Sequence, residues 1–213
     1  MKLQQMIWRI PLPSNDMTVS RRGLVLGAVA AAALPLPAFA VNTNQASQLV
    51  DTVIKEIMGV VNSSASESRA LSAFEQTLAR HADMGLIARS VLGQPWRSAS
   101  AAQQQNFARA FQAYVARKYG REFRAYKGSE INILNATDRG KKGILVNTRV
   151  RVPGSAPILV DWQVIDRGGR AKVFDLLIEG ISMVGTERVE VRSIYEANRN
   201  NLDATIQALS GRS

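Results

Sequence analysis

The hydrophobic period of this chain changes once along its length, from helical steps to strict alternation, and that change restricts the fold more than any other feature. Leu49, Val50, Val53, Ile54, Ile57, Met58 and Val61 recur at three- and four-residue steps and mark one apolar helix face. Asn62-Ser63-Ser64-Ala65-Ser66 breaks that helix and offers N-cap residues to a second, which carries Leu71, Phe74 and Leu78. Asp83 is placed to cap a third, with Met84, Ile87, Ala88, Val91 and Leu92 on its apolar side and Gly93-Gln94-Pro95 as its stop. Ser98 or Ser100 caps a long fourth helix, in which Phe107, Ala110, Phe111, Tyr114, Val115 and Tyr119 form one stripe.

From residue 130 the pattern is that of a sheet. Glu130–Ala136 reads as a first strand. In the next, Val146, Thr148 and Val150 share one face and Asn147, Arg149 and Arg151 the other. Pro153-Gly154 turns the chain, and Ile158, Val160, Trp162 and Val164 then lie opposite Asp161 and Gln163. Asp166-Arg167-Gly168-Gly169-Arg170 is a hairpin signal leading into Val173–Ile178. Residues 186–209 return to helix, with Val189, Ile194, Leu202, Ile206 and Leu209 at expected buried positions. N-terminal helices, an antiparallel sheet of about four strands and a C-terminal helix make one α+β domain. The chain has no cysteine, so disulfides, thiol catalysis and thiolate metal sites are excluded, and the core alone must hold the fold.

Residues 1–40 read as a removable export signal, leaving 41–213 as a single domain. Arg21 and Arg22 precede an apolar, alanine-rich run from Gly23 to Ala33, Leu34-Pro35-Leu36-Pro37 breaks it, and Ala38-Phe39-Ala40 presents small residues for cleavage. The run falls short of the ~20 apolar residues a membrane span needs, so a soluble mature protein is expected. Ser20-Arg21-Arg22-Gly23-Leu24 resembles a twin-arginine signal, although an aromatic is more usual at Leu24; an ordinary secretory signal fits as well. A start at Met17 would give a more compact leader than Met1. Residues 41–213 hold 23 basic and 16 acidic side chains, a net charge of +7. In an exported protein that excess favours transient contact with anionic membrane surfaces over nucleic acid, or serves solubility alone.

The residues give poor material for catalysis. His81 is the only histidine, no nucleophile elbow surrounds it, and one histidine without cysteine does not make a zinc site. Asp161, Asp175 and Glu179 fall on or beside strands, and two carboxylates ~5–9 Å apart can hydrolyse a glycoside. Strand carboxylates more often pair with arginines such as Arg149 and Arg151 on the solvent face. No catalytic residue, metal or cofactor is therefore assigned. Whether the strand and helix faces close into a filled core or leave an apolar cavity is not decided by periodicity.

A resemblance adds to this reading. The segment from Val173 to Val184, followed by Arg188 and Ile194-Tyr195, resembles the signature of the MlaC family of periplasmic phospholipid-binding proteins, also known as toluene-tolerance or organic-solvent-resistance auxiliary proteins. Leu92-Gly93-Gln94-Pro95-Trp96-Arg97, running through Gln103-Gln104-Gln105 to Phe107, Phe111, Tyr114 and Tyr119, is a second similar block, and the strand around Val160–Val164 a third. The likeness runs from about Gln45 to Leu209; the arginine pair in the leader is a departure. It implies a monomeric, non-enzymatic carrier that passes phospholipid between an outer-membrane lipoprotein complex and an inner-membrane ABC transporter of the MCE type. Its cargo chains would enter an apolar cavity between helices and sheet. The implied lining is Ile87, Val91, Phe107, Phe111, Tyr114, Val146, Val150, Trp162, Val164, Phe174, Leu176 and Met183, about half of them expected to be ordinary core. Gly180 is expected to permit a turn and Ser182 to cap the last helical region. Readings that stay open are a carrier of another membrane lipid such as a hopanoid, a carboxylate-dependent envelope hydrolase, and an envelope adaptor without ligand.

Overall fold

The computed structural model describes residues 41–211; the expected leader, residues 1–40, lies outside them. Helix α1 (Thr43–Asn62) starts in a capping box, in which the Asn42 side chain accepts from the Gln45 amide and the Gln45 side chain accepts from Asn42. Helix α2 (Glu67–His81) follows the serine-rich break. Helix α3 (Met84–Leu92) is capped by Asp83, whose carboxylate accepts the Leu86 N–H at 2.9 Å. Gly93 ends it at φ 68. A single turn, α4 (Pro95–Ser98), then uses Pro95 at its first position. The long helix α5 (Ala101–Glu122) begins in a second capping box, Ser100 with Gln103, so Ser100 rather than Ser98 is the cap.

A 3-10 turn, Phe123–Tyr126, leads from α5 to the sheet. Strands β1 (Glu130–Asp138), β2 (Ile144–Arg151), β3 (Ile158–Asp166), β4 (Ala171–Ile178) and β5 (Ile181–Ser182) form an antiparallel meander in that order. The sheet therefore has five strands rather than four. β5 escapes a periodicity reading because two residues show no period. It exists because Glu179 and Gly180 both take positive φ, 49° and 80°, the pattern of a two-residue type I′ turn that pairs Ile178 with Ile181.

The C-terminal segment is two helices, α6 (Met183–Ala197) and α7 (Leu202–Gly211), not one. Arg199 and Asn200 at φ 56° and 58° break it. Ser182 caps α6 as expected, accepting the Gly185 N–H at 2.9 Å. Val189 is 71% exposed, against the expectation. The buried stripe of α6 is Val184, Glu187, Val191 and Ile194, and a residue two positions from both Glu187 and Val191 projects to the opposite side.

Helices pack on one face of the sheet. That face carries Ile144, Val146, Thr148 and Val150 of β2 and Trp162 and Val164 of β3, all buried. Trp162 is oriented by its indole N–H, which donates to the Thr148 hydroxyl at 3.1 Å while that hydroxyl donates to the Val160 carbonyl. A bulge between β3 and β4 shifts the register: Trp162 pairs with Leu176, yet Val164 pairs with Val173. The junction between α2 and α3 is pinned to the sheet by the Asp83 N–H donating to the Val173 carbonyl at 3.0 Å.

His81 belongs to the seam between α1 and α2. Glu56 accepts from Arg80 at 2.7 Å and from Thr77 at 2.9 Å, and lies 3.0 Å from His81 Nε2. Burial raises the Glu56 carboxyl pKa, but these three partners outweigh it and hold it down at about 2. A depressed carboxylate contributes stability that is full above its unfolded pKa of 4.5 and is lost as pH falls through about 2. Discounted for its partial exposure, the contribution is about 1–2 kcal/mol. Glu56→Gln is expected to lower the urea midpoint at pH 7, and the two proteins to converge as the pH approaches 2.

Candidate lipid-binding site

Two apolar cavities lie between the helices and the sheet. The larger, about 110 Å³, is lined by side chains on four helices and β4. Phe74, Leu78 and Ala82 descend α2 and its C-cap at four-residue steps, and Phe111, Val115, Tyr119 and Phe123 descend α5 and its following turn in the same way. Met84 and Ile87 come from α3, Met183, Val184 and Glu187 from α6, and Val173, Phe174, Leu176 and Ile178 from β4. The bulge allows Val173 and Phe174, adjacent in sequence, to reach the same cavity. The smaller cavity, about 60 Å³, lies under α1. Ile54, Ile57 and Met58 face Ile131, Val150, Ile158, Val160 and Trp162 across it, and Phe123, Tyr126, Leu176 and Ile178 close it.

One polar cluster borders the larger cavity. Glu187, 3% exposed, accepts from Lys118 at 2.7 Å and from the Tyr119 hydroxyl. Burial, with the carboxylate beside it, pushes the Tyr119 hydroxyl well above the usual phenol range. Burial works against the Lys118 charge, but Glu187 and Tyr114 outweigh it and hold the ammonium pKa above its ordinary value. The cluster is thus a protonated tyrosine and a neutralised ion pair; the Asp175 carboxylate also lines this cavity and is met by the Ser182 hydroxyl and the Leu176 and Val184 N–H groups.

Of the residues assigned from sequence, Ile87, Phe111, Phe174, Leu176 and Met183 line the larger cavity, and Val150, Trp162 and again Leu176 the smaller. Val91, Phe107, Tyr114, Val146 and Val164 sit instead in the close-packed core. Between the two cavities and the packed layer around them, the apolar faces of both halves of the chain meet in one place.

The family model for the MlaC protein matches residues 47–211, nearly all of the described chain. The chain belongs to the MlaC family. An intermembrane phospholipid transport system binding protein MlaC of Haemophilus influenzae is 31% identical over 99 residues, a match spanning 44% of this chain and 46% of that protein. The toluene tolerance protein ttg2D of Pseudomonas putida is 24% identical over 92% of this chain and 91% of its own length. A phospholipid-binding protein from Ralstonia solanacearum, solved in complex with a phospholipid, superposes with a TM-score of 0.68 at 18% identity, covering 78% of this chain and 94% of that one. That likeness establishes the fold: helices over an antiparallel sheet.

In this MlaC family member the three carboxylates on or beside strands hold backbone and side-chain donors rather than arginines. Asp161 accepts from the Asn147 amide at 2.6 Å. Glu179 accepts the Leu159 N–H at 2.5 Å. Asp175 accepts from the Ser182 hydroxyl at 2.5 Å, the Val184 N–H at 2.9 Å and the Leu176 N–H at 2.8 Å. No cluster of three or more histidines, cysteines or carboxylates suited to a metal occurs among the described residues, and no described helix is long and apolar enough to cross a membrane. Sequence reasoning missed the α1 and α2 contributions to the cavities, and it missed Phe123. The signal for Phe123 was present: it continues the four-residue series Phe111, Val115, Tyr119.

Proposed function

We propose that residues 41–213, freed of a leader at 1–40, form a periplasmic carrier that holds a phospholipid and passes it between an outer-membrane lipoprotein complex and an inner-membrane ABC transporter of the MCE type. The observation that carries this reading is the pair of apolar cavities between helices and sheet in a member of this family. The likeness to an intermembrane phospholipid transport system binding protein and to a phospholipid-binding protein solved with a phospholipid supports it. No bond is made or broken; the work is burial. Each methylene removed from water contributes ~0.8 kcal/mol, so two acyl chains are held firmly and do not leave unaided. A cavity of roughly 150 Å³ accepts one benzene ring. Both cavities are smaller than that, so a loaded form requires the helical layer to move off the sheet. A membrane partner that drives or reverses that movement would govern uptake and release. The net positive charge of residues 41–213 suits brief encounters with anionic membrane surfaces.

Purified exported protein, extracted with organic solvent and analysed by lipid mass spectrometry, is expected to yield about one phospholipid per chain. A hopanoid in its place would redirect the reading to another lipid. Lipid-free protein from envelope-expressing cells would overturn it.

A further inference from the structure

A third cavity, about 210 Å³, lies where the turn between α1 and α2 meets the end of α5. Ile57, Phe74, Gly120 and Phe123 form part of its wall, and Ser64 and Lys127 are at its polar side. It adjoins the other two. Phe74 is common to it and the larger apolar cavity, and Ile57 to it and the smaller. Leu176 and Ile178 stand between those two. Among these three cavities, Phe123 alone lines every one. Its half-buried ring lies 5.2 Å from the Phe74 ring and 5.9 Å from the Tyr126 ring. It opens a four-residue 3-10 turn, an element with poorer hydrogen bonds than the α-helix before it.

We infer that Phe123 is the fork of the binding site: it sends one chain of a two-chain lipid into the helix-side cavity and the other into the sheet-side cavity. The glycerol and phosphate then occupy the third cavity, with Lys127 as the cation for the phosphate. The inference rests on the lipid-carrier reading and adds to it a separate path for each chain and an orientation. Three arguments support it. The cavities meet pairwise at shared side chains, so moving one ring connects a stem with two arms. Both arms are apolar, whereas the stem has hydroxyl and ammonium groups at its edge, which matches the division of a phospholipid. Lys127 has no ion-pair or hydrogen-bond partner among the described residues, so an anion meets no competing carboxylate there. The ring also explains why the arms are small in the present form: it stands where the chains must part, in contact with both Phe74 and Tyr126.

The test compares delipidated wild type, Phe123→Ala, Phe123→Leu and Lys127→Gln, each loaded from vesicles of phosphatidylglycerol and from its one-chain lyso form. Wild type is expected to prefer the two-chain lipid by at least tenfold. Phe123→Ala joins the three spaces, so its preference should fall to threefold or less and its rate of lipid exchange with vesicles should rise at least tenfold. Phe123→Leu keeps an apolar wedge and should fall between them; if the alanine variant does not fold, the leucine variant carries the comparison. Lys127→Gln should weaken loading of both lipids several-fold without changing the chain preference. Equal preference and equal exchange in wild type and both Phe123 variants would overturn the fork while leaving the carrier reading intact. Failure of wild type to load any lipid would overturn the carrier reading itself.

Discussion

Leu176→Arg is expected to leave the protein folded and to reduce its bound lipid at least tenfold, whereas Val164→Glu is expected to leave no cooperatively folded protein. Both positions were equivalent candidates by sequence, since each lies on an apolar strand face. The structure separates them. Leu176 is half-buried, pairs with Trp162 across the strands, and forms part of the wall of both apolar cavities between helices and sheet. An arginine there occupies the space the chains need. Its long stem can lie along the wall and carry the guanidinium toward water, which limits the folding penalty. The lipid has no such escape: each methylene that cannot enter costs it ~0.8 kcal/mol of binding. Val164 is 0% exposed, in the packed core and away from either cavity. A glutamate there is buried in the close-packed core, and an uncompensated buried charge costs on the order of the whole stability of a domain. Circular dichroism melts read the fold, and mass spectrometry of extracts reads the cargo. Stoichiometric lipid on folded Leu176→Arg would show that the chains lie elsewhere.

The contrast between those residues shows what the sequence could convey. Helix starts were legible because capping is local: Asp83, Ser100 and Ser182 each bond an amide within three residues. The alternation of β2 was legible because one face is covered and the other is not. Cavity membership was not, because periodicity reports which face a side chain occupies and not whether the opposing layer fills the space above it. Phe107 and Phe111 share one stripe of α5 and stack with ring centroids 6.0 Å apart, yet Phe111 lines the larger of the two cavities and Phe107 lines neither. Glu187 is another instance. A carboxylate in the buried stripe of a helix contradicts the local pattern until its partners, Lys118 and Tyr119, are brought in from a helix nearly seventy residues away.

The segment that carried the family resemblance makes the second large prediction, because its geometry gives it a physical task. Asp175 stands on β4, eight residues before Met183, and is 8% exposed. Its carboxylate collects the Ser182 hydroxyl and the Val184 N–H, so it ties β4 to the first turn of α6 across the tight turn at Glu179-Gly180. The position is electrostatically apt, since a carboxylate at a helix N-terminus satisfies an amide that has no partner within the helix. Asp175→Ala leaves the buried Val184 N–H and the Ser182 hydroxyl to find new partners. Hydrogen bonds to a charged acceptor contribute about 1.5–3 kcal/mol each, and a buried donor left unpaired adds to the loss. A destabilisation of about 3 kcal/mol follows, which for a domain of this size lowers Tm by roughly 6–12 °C. Asp175→Asn keeps one acceptor oxygen and should recover about a third of that. Urea unfolding followed through Trp96 and Trp162 measures both. Because Met183 and Val184 are also wall residues of the larger cavity, loosening their anchor should speed lipid exchange in Asp175→Ala at temperatures where it remains folded. A loss below about 0.5 kcal/mol, within the range of ordinary surface substitutions, would mean that the β4–α6 junction is held by its apolar contacts and that Asp175 does not fasten it.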